Sequence, residues 1–145
     1  MSEISTDEVT IDRIVEAMKH RGVTLENAES APAAMANLNG RQVTFAALGS
    51  VAIVRAESLT ETGTSAPDAA AWYMAANHLN SVQMKASAVI VDQADKLIVR
   101  TESEICAAAG LTDEQLEAAL VSSVDGVLQV HDALGEVRNQ FSGGE

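Results

Sequence analysis

Apolar side chains at Ile11, Ile14, Val15 and Met18 fall at i, i+3, i+4 and i+7, the spacing of one helical face. Thr10 stands where an N-cap is needed. Lys19, His20 and Arg21 suit the negative end, and Gly22 is placed to close the helix as its C′ residue. The period then shortens. Val23 to Glu29 starts a short strand interrupted by Pro32, and Ala33, Met35, Asn37 and Leu38 lead to Asn39-Gly40. That dipeptide favours a type I′ hairpin, because both turn residues tolerate positive φ. Arg41 to Leu48 alternates with Val43, Phe45 and Ala47 on one face, Gly49-Ser50 turns the chain, and Val51 to Ser58 follows. The economical reading is a three-stranded antiparallel meander. Leu59 to Thr64, rich in Thr and Gly, reads as a polar connection.

The middle of the chain organises the rest. Ser65 is placed to cap a helix that carries Pro67 and Asp68 in its first turn, where neither a missing N–H nor a negative charge does harm. Ala69, Trp72, Tyr73, Ala76 and Leu79 then recur at helical spacing. Adjacent Trp72 and Tyr73 point roughly 100° apart, so the apolar surface is wide, and Ala70, Ala71 and Ala75 widen it further. Such a helix needs cover on more than one side, from its own sheet and from a second subunit. Alternatively the alanines face water simply because alanine forms helices best.

Beyond Val82 the period returns to two. Met84 to Val91 reads as a strand, Asp92 to Asp95 as a turn, and Leu97 to Thr101 as the partner strand, with scope to continue through Ile105. Thr112 and Gln115 form a capping box, backed by Asp113 and Glu114. The helix they open carries Leu116, Leu120, Val124, Val127, Leu128, His131 and Leu134 on one side and can reach Phe141, with Gly126 and Gly135 weakening it. The order α-β-β-β-α-β-β-α implies an α+β fold with an antiparallel sheet of about five strands. One domain over residues 9–141 is expected, with flexible tails at 1–8 and 142–145.

Charge narrows the function classes. The 145 residues hold 9 Lys+Arg against 21 Asp+Glu, a formal charge of −12, which disfavours nucleic acid and anionic membrane as partners. Residues 102–145 hold nine acids and one base, Arg138. That acidic face is either a solvated helix surface or a dock for a basic partner. A single cysteine excludes an internal disulfide, and no apolar run is long enough to span a bilayer. A cytoplasmic protein is expected.

Candidate chemistry is sparse. His20, His78 and His131 lie one to a helix, with no i, i+3 or i+4 pair to preform a metal site, and are expected exposed or at helix ends. No Gly-x-Ser-x-Gly elbow and no phosphate loop occurs. Asp92 and Asp95 lack the remaining ligands of a calcium loop. Cys106, beside Ile105 and three alanines, is expected to be a small buried hydrophobe. The Gly143-Gly144-Glu145 terminus resembles that of prokaryotic ubiquitin-like protein, but three residues are too short a motif to carry weight. Arg55 and Arg100 are expected on an open sheet face, paired with Glu57 and Glu102 of their own strands. Asn77 and Asn80 either tie off the helix end and the following loop or form a polar recognition spot. No catalytic residue, cofactor or metal is expected. The candidate dimer or partner surface is Ala69, Trp72, Tyr73, Ala76, Asn77 and Asn80. The competing reading is a small-molecule sensor or weak enzyme with a pocket between sheet and helices, using His78, Asn80 or Arg100.

Six segments together resemble the YbjN-type family, particularly its actinobacterial members: Thr10 to Ile14, Val51 to Ala56, Ala76 to Asn80, Lys85 to Val91, Leu97 to Glu102 and Leu111 to Leu116. The likeness covers roughly residues 9–141. It implies a bacterial sensory-transduction regulator with a fold similar to type III secretion chaperones, usually dimeric. The implied role is non-enzymatic protein binding, with itself and an unidentified protein as partners and no cofactor. The family often has a tryptophan near the second asparagine of the central motif. Here Leu79 precedes Asn80, and Trp72 lies two turns earlier.

Overall fold

The computed structural model describes residues 7–92 and 95–141. The first six residues, the Gly-Gly-Glu terminus and the middle of the 92–95 turn lie outside them. The chain is mixed α+β, in the order α1 (Ile11–His20), β1 (Glu26–Asn27), β2 (Ala33–Leu38), β3 (Arg41–Ala47), β4 (Val51–Gly63), α2 (Ala69–Val82), β5 (Ser87–Val91), β6 (Lys96–Cys106) and α3 (Asp113–Phe141). The strands hydrogen-bond in the order β1-β2-β3-β4-β6-β5, giving six strands rather than about five. The extra strand comes from dividing the stretch before Asn39: Glu26 and Asn27 pair with Met35 and Ala34.

The chain packs as two compact units, residues 7–54 with 104–124, and residues 55–103 with 125–141. In the first unit, α1 starts and stops where its sequence dictates. Thr10 accepts a hydrogen bond from the Arg13 N–H at 3.3 Å. At the other end Val23 N–H donates to Met18 O and Gly22 N–H to Lys19 O, with Gly22 at φ +84°, a Schellman closure. Ile14 and Met18 are buried. The β2–β3 hairpin turns on Asn39 and Gly40, both at positive φ (53° and 79°), as type I′ geometry requires. Arg13 ties this unit together. One of its terminal nitrogens donates to Asp7 O and Glu8 O, the other to Leu111 O and Asp113 Oδ1, all within 3.0 Å. The Thr112–Gln115 capping box forms reciprocally, at 2.9 and 3.1 Å.

In the second unit β4 runs on to Gly63, through the stretch read from sequence as a polar connection. The even-numbered face simply continues from Ala56 to Thr60 and Thr62, both buried. Their hydroxyls are satisfied: Thr60 donates to Leu97 O at 2.8 Å, and Thr62 accepts from the Trp72 indole N–H at 2.9 Å. A buried β-branched residue with its hydroxyl bonded is as good a strand residue as valine. The helix α2 therefore begins at Ala69 rather than beside Ser65. Its N-cap is Asp68, whose side chain makes no capping bond. Gly63 O and Ala66 O accept from Ala66 N–H and Ala69 N–H, so a turn occupies Ser65-Ala66-Pro67. The α3 segment 125–141 buries Val127, Val130, His131 and Leu134, and Gly126 lets it approach Lys85 closely.

Candidate functional site

Alanine, tryptophan and leucine divide α2 into two halves. Ala69, Ala71, Trp72, Ala75, Ala76 and Leu79 are buried in the chain itself, whereas Ala70, Tyr73, Met74, Asn77, His78, Asn80, Ser81 and Val82 are exposed. At about 100° per residue the buried set covers roughly 160° of the helix and the exposed set roughly 200°. The sequence-level surface is thus split. Ala69, Trp72 and Ala76 pack inward, while Tyr73, Asn77 and Asn80 face out. Trp72 is covered by its own chain: the Arg138 guanidinium lies 4.7 Å from its ring centroid, and its N–H bonds Thr62. Arg138 Nε is buried without a hydrogen-bond partner among the described residues, a cost offset by the negative ring face beneath the cation.

The outer half has an unusual chemistry. Between Ala69 and Val82 there is no Asp, Glu, Lys or Arg, although the chain carries 30 charged side chains in all. Tyr73 is 41% exposed and Met74 47%, and Met84, just past the helix, is 99% exposed. Phe141, also exposed, meets His78 edge-on with ring centroids 6.1 Å apart. Exposed aromatic and methionine side chains on a helix that carries no charge of its own are the composition of interface cores.

Comparison with known proteins now fixes the lineage. A family model described as "Putative bacterial sensory transduction regulator" matches residues 10–136. The chain belongs to the YbjN family. Its resemblance to that family, carried by the six segments quoted above, is borne out. The crystal structure titled "YbjN, a putative transcription regulator from E. coli" superposes with a TM-score of 0.70 at 14% identity, covering 87% of this chain and 91% of that one. At that identity the likeness shows a shared fold. No curated protein matches the sequence.

The family is described by regulation, not by a reaction. His78, Asn80 and Arg100, the polar groups of the competing pocket reading, are each engaged separately. His78 meets Phe141, Asn80 bonds Ala88, and Arg100 Nε donates to Glu57 at 2.6 Å. Arg55 pairs with Glu102. These ion pairs cross between β4 and β6 rather than running along one strand, because same-face neighbours on adjacent strands lie closer than residues two apart on one strand. His131 is buried, not exposed or helix-terminal as expected. Thr101 O–H donates to Val127 O at 3.3 Å, and the two ring nitrogens of His131 lie in hydrogen-bond contact with Thr101 Oγ1 (Nδ1, 3.0 Å) and Ser58 Oγ (Nε2, 2.8 Å). Thr101 stands where a hydrolytic triad places a carboxylate. No group of three His, Cys, Asp or Glu among the described residues is arranged to hold a metal. Cys106 is exposed, against expectation, since alternation buries Ile105 and Ala107 and turns 106 outward. No helix among the described residues is long and apolar enough to cross a membrane.

In the first unit a cleft of about 280 Å³ is lined by Arg13, Glu16, Ala17, His20, Asp113 and Glu117. Glu117 there faces His20 and Arg21, each at 3.5 Å, and Asp113 faces Arg13. Its charges answer one another.

Proposed function

We propose that this chain is a non-enzymatic regulatory module that acts by protein contact and self-associates through the outer half of α2. The supporting observation is the uncharged face Ala70-Tyr73-Met74-Asn77 on a chain of net charge −12. In a two-fold contact the same patch meets itself, so every charge near the axis confronts its own kind. For a molecule with more than twice as many acids as bases, a patch free of charge is the one that meets its own copy without like-charge repulsion. A basic partner would instead want the acids that this face lacks. The inward half of α2 needs no second subunit, since β4 and α3 residues of the same unit already cover it. The E. coli relative is titled a transcription regulator. If this chain shares that role, its acidity directs the effect through protein rather than through DNA, whose phosphates demand a basic surface.

Sedimentation velocity at micromolar concentration tests the reading. The wild-type chain is expected to sediment as a dimer, and Tyr73→Glu as a folded monomer with unchanged far-ultraviolet dichroism. A wild-type monomer across that range contradicts it.

A further inference from the structure

The outermost strand β5 is the one long exposed edge of the sheet order, and its sequence Ser87-Ala88-Val89-Ile90-Val91 carries no charge. An unpaired, β-branched, uncharged edge is a template for strand addition. This edge is not bare. Asn80 Nδ2 donates to Ala88 O at 2.9 Å, and Ala88 N–H donates to Asn80 Oδ1 at 2.8 Å. Three residues on, Gln83 ties down the turn that leads into β5 and so fixes the approach of Asn80 to the strand. Its Nε2 donates to Ala86 O at 2.8 Å, and its Oε1 accepts from Ala86 N–H at 3.3 Å and Lys85 N–H at 2.7 Å.

The register explains the spacing. Ala88 lies opposite Thr101 and Val89 opposite Arg100. In an antiparallel edge alternate residues turn their peptide groups outward. The Ala88 N–H and C=O both meet Asn80, so Ala88 and Ile90 form the outward set of β5, and Asn80 engages the first of them. Its amide makes the donor–acceptor pair that a residue of an added strand would make. Ile90, the next in the set, is reached by no side-chain amide among the described residues.

We infer that Asn80 and Gln83 form a latch that closes the β5 edge against a second copy's β5. Antiparallel pairing of two such edges about a two-fold axis through Val89 would set Ala88 of one chain against Ile90 of the other. That pairing reproduces the hydrogen bonds now made by Asn80 and joins two uncharged strands. This is independent of the α2 contact proposed above: the latch keeps self-association off the sheet edge.

The test uses the Tyr73→Glu chain, in which the α2 contact is removed, so that the two ideas fail separately. Into it go Asn80→Ala with Gln83→Ala, or Asn80→Ala alone, which removes both bonds to Ala88 and leaves Gln83 in place. Amide exchange at Ala88 is expected to accelerate on the order of tenfold in the alanine pair, the change expected from one lost hydrogen bond. Sedimentation should show new dimers or larger species, and Ile90→Pro, which removes an outward N–H, should abolish them. Unchanged exchange at Ala88 overturns the latch, as does accelerated exchange in a folded chain that stays monomeric. If the alanine pair does not fold, Asn80→Ala alone carries the same two readouts with smaller expected changes.

Discussion

At Trp72 and Tyr73 two neighbouring aromatics have opposite duties. Helical periodicity identified both as apolar surface, and 100° of rotation decides which is core. Trp72 bonds Thr62 and lies under Arg138, so Trp72→Ala is expected to destabilise by about 3–5 kcal/mol, measured by urea unfolding. Thr62→Val, which keeps the shape but orphans the indole N–H, should cost about 1–3 kcal/mol by the same measure. A cost near zero for Thr62→Val would mean that the indole finds water and the buried hydrogen bond contributes little. Nothing in the local pattern showed that Trp72 had a partner ten residues upstream. The pairing depends on β4 running to Gly63, and Thr60 and Thr62 were discounted because their polarity outweighed their alternation. Apolar neighbours alone put Cys106 inside, and residue type alone puts His131 outside, whereas strict alternation and strict helical spacing give both correctly.

Helix ends and tight turns were the most legible elements, because caps and positive-φ residues act locally. Thr10, Gly22, Asn39-Gly40 and the Thr112–Gln115 box all sit where the sequence put them. Sheet partners were less legible: Arg55 and Arg100 were expected to pair along their own strands, and only the folded sheet brings Glu102 and Glu57 across. The two glycines of α3 looked alike in sequence and differ in the fold. A Cβ at Gly126 would stand 3.2 Å from Lys85 O, whereas one at Gly135 would meet nothing within 4 Å. Gly135→Ala is therefore expected to stabilise by about 0.5–1 kcal/mol, the ordinary helix-interior gain. Gly126→Ala should lose that gain or become destabilising, since a backbone carbonyl must move. Equal stabilisation by both, in parallel thermal or urea melts, would show that the Lys85 approach is not tight in solution.

Taken as a whole, the molecule puts charge on α1, on α3 and on most of its strands, and leaves α2 neutral. Function was legible from sequence only down to that level. The family segments imply regulation, but which half of α2 faces outward emerges only when Ala69, Trp72 and Ala76 are seen turned inward. The surface that remains is narrower than the sequence suggested and has no charged residue in it. A nitroxide attached at Asn77→Cys, with the exposed Cys106 changed to Ser, places one label per chain at the centre of that face. Pulsed electron–electron resonance on the labelled chain should give a single short, narrow distance between copies, lost when Tyr73→Glu is added. A sample with no dipolar signal between chains, or one unchanged by Tyr73→Glu, would contradict self-association through the neutral half of α2.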